Sequence, residues 1–209
     1  MYYEGDDDYI MIKQLQQQEN IAGFLRKTAF VDYSTENIRM KADELFNGIS
    51  DDTEKARIAY EFVRDKIPHS FDIDATVITA KASDVLIHET GICHAKANLL
   101  AALLRSQRIP VGFCFQHLTL MDDDSAGYCV HCYNAVFLDG HWVKIDARGN
   151  KPGVDAQFSL DARFWLSHAA PNTTNTSGRG FTLPRIWRRC KCLNVQRIFK
   201  TSLIISQIL

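Results

Sequence analysis

The sequence predicts a mixed α+β domain in which helices come first and an antiparallel sheet follows. Apolar residues recur at helical spacing between positions 35 and 105, and β-type runs occupy 111–147. Two of those runs are joined by Asp139-Gly140, the strongest short-range signal for a two-residue hairpin. A chain of 209 residues with 46% apolar content suits one compact domain, or one domain with a tail.

Residues 1–34 show weak periodicity, with a Gln-rich stretch at 14–18 and an apolar patch of Phe24, Leu25, Phe30 and Val31, and are read as extended or partly helical. From Thr35, a cap residue, the spacing Ile38, Met40, Ala42, Leu45, Phe46 predicts a helix with Gly48 just past its end. Asp51 followed by Glu54 resembles a capping box, and Ala56, Ile58, Ala59, Phe62, Val63 and Ile67 continue a second helix until Pro68 stops it. A short helix over 82–88, capped by Thr79 or Ser83, leads into a turn at Thr90-Gly91-Ile92. The next helix, 93–105, is rich in Ala and Leu, and its stripe Ala95, Leu99, Ala102, Leu103 predicts burial. Three strands over 111–120, 128–138 and 141–147 complete the plan. The domain organisation read from this is an N-terminal extension and helix at 1–50, a core at 51–162 and an atypical basic tail at 163–209.

The net charge of −1 hides an asymmetry, because residues 1–162 carry 16 basic and 25 acidic side chains whereas 163–209 carry eight basic and no acidic ones. Nothing in the average charge calls for nucleic acid or an anionic membrane as partner. No apolar run approaches the roughly 20 residues of a membrane span. Asp6, Asp7 and Asp8 stand where a signal peptide would need positive charge, so the expected compartment is the cytoplasm. Six cysteines (93, 114, 129, 132, 190 and 192) are too sparse for a disulfide scaffold and are expected as thiols.

Cys93 falls at a helix N-terminus, where unpaired amides and the helix dipole favour thiolate over thiol. Gly91 is read as letting the backbone turn tightly so that a substrate can approach the sulfur. With Asp139-Gly140 as a two-residue loop, Leu138 pairs with His141, which sets His131 opposite position 148 and Tyr133 opposite Asp146. His131 and Asp146 then share one face as diagonal neighbours, with Cα atoms within roughly 7 Å. Asp146 can orient the imidazole through one nitrogen and leave the other for a thiol, the arrangement that thiol-based acyl transfer requires. The candidate catalytic residues are therefore Cys93, His131 and Asp146, in that chain order.

Gly91-Ile92-Cys93-His94-Ala95-Lys96-Ala97, Arg108-Ile109-Pro110, His131-Cys132-Tyr133-Asn134-Ala135-Val136 and Gly140-His141-Trp142-Val143-Lys144-Ile145-Asp146 resemble the core of the bacterial transglutaminase-like superfamily. The resemblance runs from about 51 to 158. It implies a papain-like fold with the nucleophile helix packed on an antiparallel sheet, and action on peptide or protein amides as a cysteine peptidase, amidohydrolase or transglutaminase. It implies Cys93 as nucleophile, His131 as general base and then acid, and Asp146 as orienting carboxylate. The Cys93 amide is one oxyanion donor; Gln116 and the segment 68–74 are candidates for the second, because the tryptophan that animal transglutaminases place upstream of the nucleophile has no counterpart before Trp142. No calcium loop is legible, and Asp122-Asp123-Asp124 reads as a solvated turn.

Neither a cofactor nor a metal is expected. Cys129, Cys132, Cys190 and Cys192 supply thiolates for zinc, but in a strand positions 129 and 132 face opposite ways and cannot close on one ion. Two alternatives stand beside the enzyme reading. One is an arylamine N-acetyltransferase-like acyltransferase, whose glycine-rich cysteine surroundings are missing here. The other is an inactive binding module of the same fold, which has no physical need to keep all three triad residue types.

The tail segment 185–191, basic with an interleaved Trp187, has the composition of a nucleic-acid or acidic-lipid footprint, and 172–180 that of a disordered extension. A third reading is preferred. Superfamily members continue with Leu-Ala-Phe-Pro after the point where the resemblance fades, and Phe164-Trp165-Leu166-Ser167-His168 has codons (TTT TGG CTT TCC CAT) that read Leu-Ala-Phe-Pro in another frame. Residues from about Arg163 are thus read as frameshifted, with no selected function in their charge.

Overall fold

The computed structural model describes residues 21–119, 128–150 and 155–160. The acidic start, Asp122 to Asp124, Cys190, Cys192 and the basic tail with its frameshift reading lie outside the described residues. A 3₁₀ turn at Ile21–Leu25 precedes four helices, α1 (Glu36–Phe46), α2 (Asp52–Lys66), α3 (Ala82–His88) and α4 (Cys93–Ser106). Strands β1 (Val111–Thr119), β2 (Tyr128–Leu138) and β3 (His141–Ile145) follow, forming an antiparallel sheet in the order β1-β2-β3.

Local chemistry accounts for the element ends. The Asp51 carboxylate accepts the Glu54 amide at 2.6 Å and starts α2, while Glu54 turns outward to Arg57 instead of closing a reciprocal box. Neither Thr79 nor Ser83 caps α3, whose cap position is Lys81. The carboxylate of Asp32 takes that role from a distance, accepting the Ser83 amide at 3.1 Å and the Ser83 hydroxyl at 2.5 Å. Thr79 is committed elsewhere, its hydroxyl donating to the Thr90 carbonyl at 2.8 Å.

Asp139 and Gly140 both have positive φ, 49° and 82°, as the mirror-image type I turn demands. The turn pairs Leu138 with His141 and fixes the register through Asn134↔Ile145, the pairing expected from the sequence. β3 ends at Ile145 and not at Ala147, because the Asp146 carboxylate accepts the Arg148 amide at 3.1 Å and so replaces a ladder bond with a local turn.

α4 is the hub of the fold. Every residue from His94 to Arg105 is buried, and the helix touches α1, α2, α3, β1 and β2. Asn134 on β2 donates to the Ala97 carbonyl at 3.3 Å, and Arg105 donates to Val111 and Arg26 carbonyls, so both ends of α4 are tied down by polar contacts as well as packing. The other face of the sheet is covered from the 3₁₀ turn, where Phe24 meets Trp142 edge-on with ring centroids 4.7 Å apart.

Because Leu103 has no exposed surface and lies at the centre of this hub, Leu103→Ala is expected to lower the unfolding free energy by about 2–5 kcal/mol. A urea titration checks this, with the midpoint falling at unchanged slope.

Candidate functional site

Cys93 is the first residue of α4, with Ile92 at the cap position and no side-chain cap. Its own amide is thus one of the orphan donors that begin every helix, and no acidic side chain in the first turn opposes a negative charge there. The sulfur is half-buried. It lies 3.3 Å from Nδ1 of His94 and shares further hydrogen bonds with His131 and His69. Burial alone would raise the thiol pKa, but the hydrogen bonds from His131, His69 and His94 outweigh it and hold the group well below the ordinary thiol range.

His131 is buried on β2, and its Nε2 lies 2.7 Å from Oδ2 of Asp146. Its ring stacks with Tyr133, with centroids 6.0 Å apart. Asp146 follows the last ladder pair of β3, and its other oxygen is held by the Arg148 amide. Burial pushes the imidazole toward its neutral form, yet the charge and hydrogen bond of Asp146, with the hydrogen bond and charge of Cys93, raise its pKa to about 10. Both shifts favour the thiolate–imidazolium form of the pair.

Further charged groups brace this arrangement. Arg148, itself buried, forms a two-pronged pair with Asp72, one contact at 2.9 Å. Lys96 lies about one helical turn after Cys93, and its amine donates to the Ile67 carbonyl. Burial, followed by the Arg148 charge, lowers its pKa to about 7. His69 forms an isolated parallel bridge with Gly91, and is buried.

The role of Gly91 differs from the expected one. It is not in the left-handed region; a Cβ placed on it would meet the Ala95 Cβ at 2.9 Å and the Thr79 hydroxyl at 3.2 Å. Glycine is required there because strand-like backbone and helix start pack too closely for a side chain, not because the chain turns. Gln116 is paired with His131 along β1, and its side chain lies outside the described residues. No cluster able to hold a metal ion occurs among the described residues.

The family model of the transglutaminase-like superfamily matches residues 39–147, more than half of the chain. The chain belongs to this superfamily. No curated protein matches it. Among solved structures it is similar to a candidate cysteine protease from Cytophaga hutchinsonii, with 18% identity over 65% of this chain and 44% of that one, at a TM-score of 0.47. The periplasmic domain of TgpA from Pseudomonas aeruginosa shares 18% identity over 59% of this chain and 46% of that one, at a TM-score of 0.42. A structure described as a TGase shares 13% identity over 75% of this chain and 41% of that one, at a TM-score of 0.41. The chain spans less than half the length of each of these three. Its α+β, papain-like arrangement of a cysteine-headed helix on an antiparallel sheet is the superfamily fold.

Of the three residues singled out from sequence, His131 and Asp146 are joined directly, and Cys93 shares a hydrogen bond with the same histidine. His94, Lys96, Arg148 and Asp72 were not singled out, and His69 entered only as part of the segment 68–74. A signal existed for Lys96: a lysine inside an Ala- and Leu-rich helix, three residues after Cys93, is a buried charge in need of partners. His69 gave none, because only the bridge to Gly91 brings it to the sulfur.

The rate of Cys93 alkylation by iodoacetamide reports its thiolate and is expected to rise with pH through a midpoint well below the ordinary thiol range of about 8.5. Asp146→Asn removes the charge that stabilises the imidazolium, so the thiolate loses its counter-ion and the midpoint is expected to move upward by about one to three pH units. An unchanged midpoint would show that Asp146 does not charge the ring.

Proposed function

We propose that this protein is a thiol-dependent acyl-transfer enzyme acting on a peptide or protein amide, as a cysteine peptidase, amidohydrolase or transglutaminase. Cys93 is the nucleophile, His131 the general base and acid, and Asp146 the orienting carboxylate, all within a catalytic unit at 51–162. The observation that supports this best is the division of the His131 ring. Nε2 is committed to Asp146 at 2.7 Å, which leaves Nδ1 for the sulfur.

In this mechanism the proton of Cys93 already resides on His131. The thiolate attacks the amide carbonyl carbon; a C–S bond forms and the carbonyl π pair moves to oxygen, where the Cys93 amide donates to it. As the intermediate collapses, the C–N bond breaks and Nδ1–H of His131 gives its proton to the departing amine. The resulting thioester is resolved by water or by a second amine. His131 takes the proton of that nucleophile, and the thiolate is expelled with the pair restored.

A substrate survey of wild type beside Cys93→Ala tests the proposal, following thioester mass, peptide cleavage and amine incorporation. The variant is expected to lose every such activity, by a factor of about 10⁴ or more, since removing a nucleophile abolishes the covalent route. Turnover retained in the variant, or six thiols of equal reactivity in the wild type, would overturn the assignment.

A further inference from the structure

Acyl transfer at Cys93, on which this inference rests, develops negative charge on an oxygen bonded to the carbon that the sulfur attacks. Two preorganised N–H donors are wanted there, and α4 supplies one, the amide of Cys93. His131 is not available as the other, since its Nδ1–H must reach the departing nitrogen.

His69 has the geometry of the missing donor. Pro68 ends α2, and the two residues around His69 are clamped to Gly91 by backbone bonds, Ser70 N–H to the Gly91 carbonyl at 3.2 Å and Gly91 N–H to the Pro68 carbonyl at 3.4 Å. This fixes the ring beside the residue that precedes the α4 cap. The imidazole is 4% exposed, and its Nδ1 accepts the Phe71 amide at 3.3 Å. A ring whose Nδ1 accepts a backbone N–H carries its own hydrogen on Nε2, so its tautomer is set. Nε2–H is then the hydrogen that this ring has to offer in its hydrogen bond with Cys93.

We infer that His69 is the second oxyanion donor of this site, its Nε2–H passing from the sulfur to the substrate carbonyl oxygen as the C–S bond forms. No proton leaves His69 in this step. Charge moves from sulfur to an oxygen two bonds away, and a fixed donor follows it by a small change of hydrogen-bond partner, stronger to the oxyanion than to the thioether-like sulfur left behind. Burial lowers the pKa of the ring, and the Cys93 hydrogen bond offsets this only in part, so the donor stays neutral and does not compete with His131 for the catalytic proton. His94 also bonds the sulfur through Nδ1 at 3.3 Å, but unlike His69 its ring is held by no second hydrogen bond among the described residues, its Nε2 having no partner there.

Two probes of one thiol separate this role from mere thiolate activation. Acetylation by p-nitrophenyl acetate passes through an oxyanion, whereas iodoacetamide alkylation displaces iodide at a tetrahedral carbon and forms none. Plateau rates, taken where the thiol is fully ionised, are compared for wild type, His69→Ala, His69→Gln and His94→Ala. A depressed alkylation midpoint serves as proof that each variant is folded. His69→Ala is expected to slow acetylation by about 10²-fold while alkylation falls less than about threefold, and His69→Gln, which keeps an N–H, recovers part of the loss. Equal losses with both probes, no loss with either, or a selective loss in His94→Ala alone would overturn the inference. Absence of acetylation at Cys93 in the wild type would instead reject the acyl-transfer reading itself, and this inference with it.

Discussion

The hydrogen bond between His131 and Asp146 depends on a register, and the register depends on two residues of a turn. Asp139 and Gly140 hold positive φ, which commits the hairpin to two loop residues and Leu138 to His141. A slip of one position in β3 would send Asp146 to the face away from His131 and turn Val143 and Ile145 out of the core. The core and the site therefore select the same pairing. Asp146 adds a second constraint, because the oxygen not facing His131 ends β3 by taking the Arg148 amide. One carboxylate thus terminates a strand and orients an imidazole, and neither task leaves it free to rotate.

What the sequence made legible was local or short in range. α4 is encoded by its own Ala and Leu content, the hairpin by a dipeptide, and the His131–Asp146 proximity by arithmetic across that dipeptide. The features it hid all join distant segments. Asp32 caps α3 across 51 residues, Asp72 pairs with Arg148 across 76, and Lys96 reaches back 29 positions to the Ile67 carbonyl. Such contacts depend on how α2 and the loop after it return to α4, and periodicity carries no information about that path. Gly91 was legible as a special position and misread in cause, since a missing Cβ serves close packing as readily as an unusual φ.

The packing around α4 also explains how a pair of charges is kept in a buried place. An isolated thiolate in apolar surroundings would simply take a proton. Here the helix start, three imidazoles and the Asp146 carboxylate replace the water that the charges have lost. Buried Arg148 meets the more exposed Asp72 through two parallel bonds, a bidentate geometry that stabilises its charge. Lys96 answers the same burial differently. Its pKa falls to about 7 beside the fixed positive charge of Arg148, and its amine remains satisfied because the Ile67 carbonyl accepts from it in either protonation state.

Two histidines flank one sulfur, both 4% exposed, and their environments push them in opposite directions. For His131, burial is outweighed by the charge and hydrogen bond of Asp146, so the ring holds a proton to about pH 10. For His69, burial prevails over the bond to Cys93, and the backbone amide of Phe71 occupies the nitrogen that would otherwise take a second proton. A protonated ring can deliver a proton to a departing amine; a neutral ring of fixed tautomer can donate a hydrogen bond without surrendering the hydrogen. Under the proposed reaction, the two roles cannot be exchanged. Placing His131 in the neutral state would deprive the thiolate of its counter-ion, and charging His69 would set a second acid beside the nucleophile, which would favour protonating the sulfur over stabilising the oxyanion.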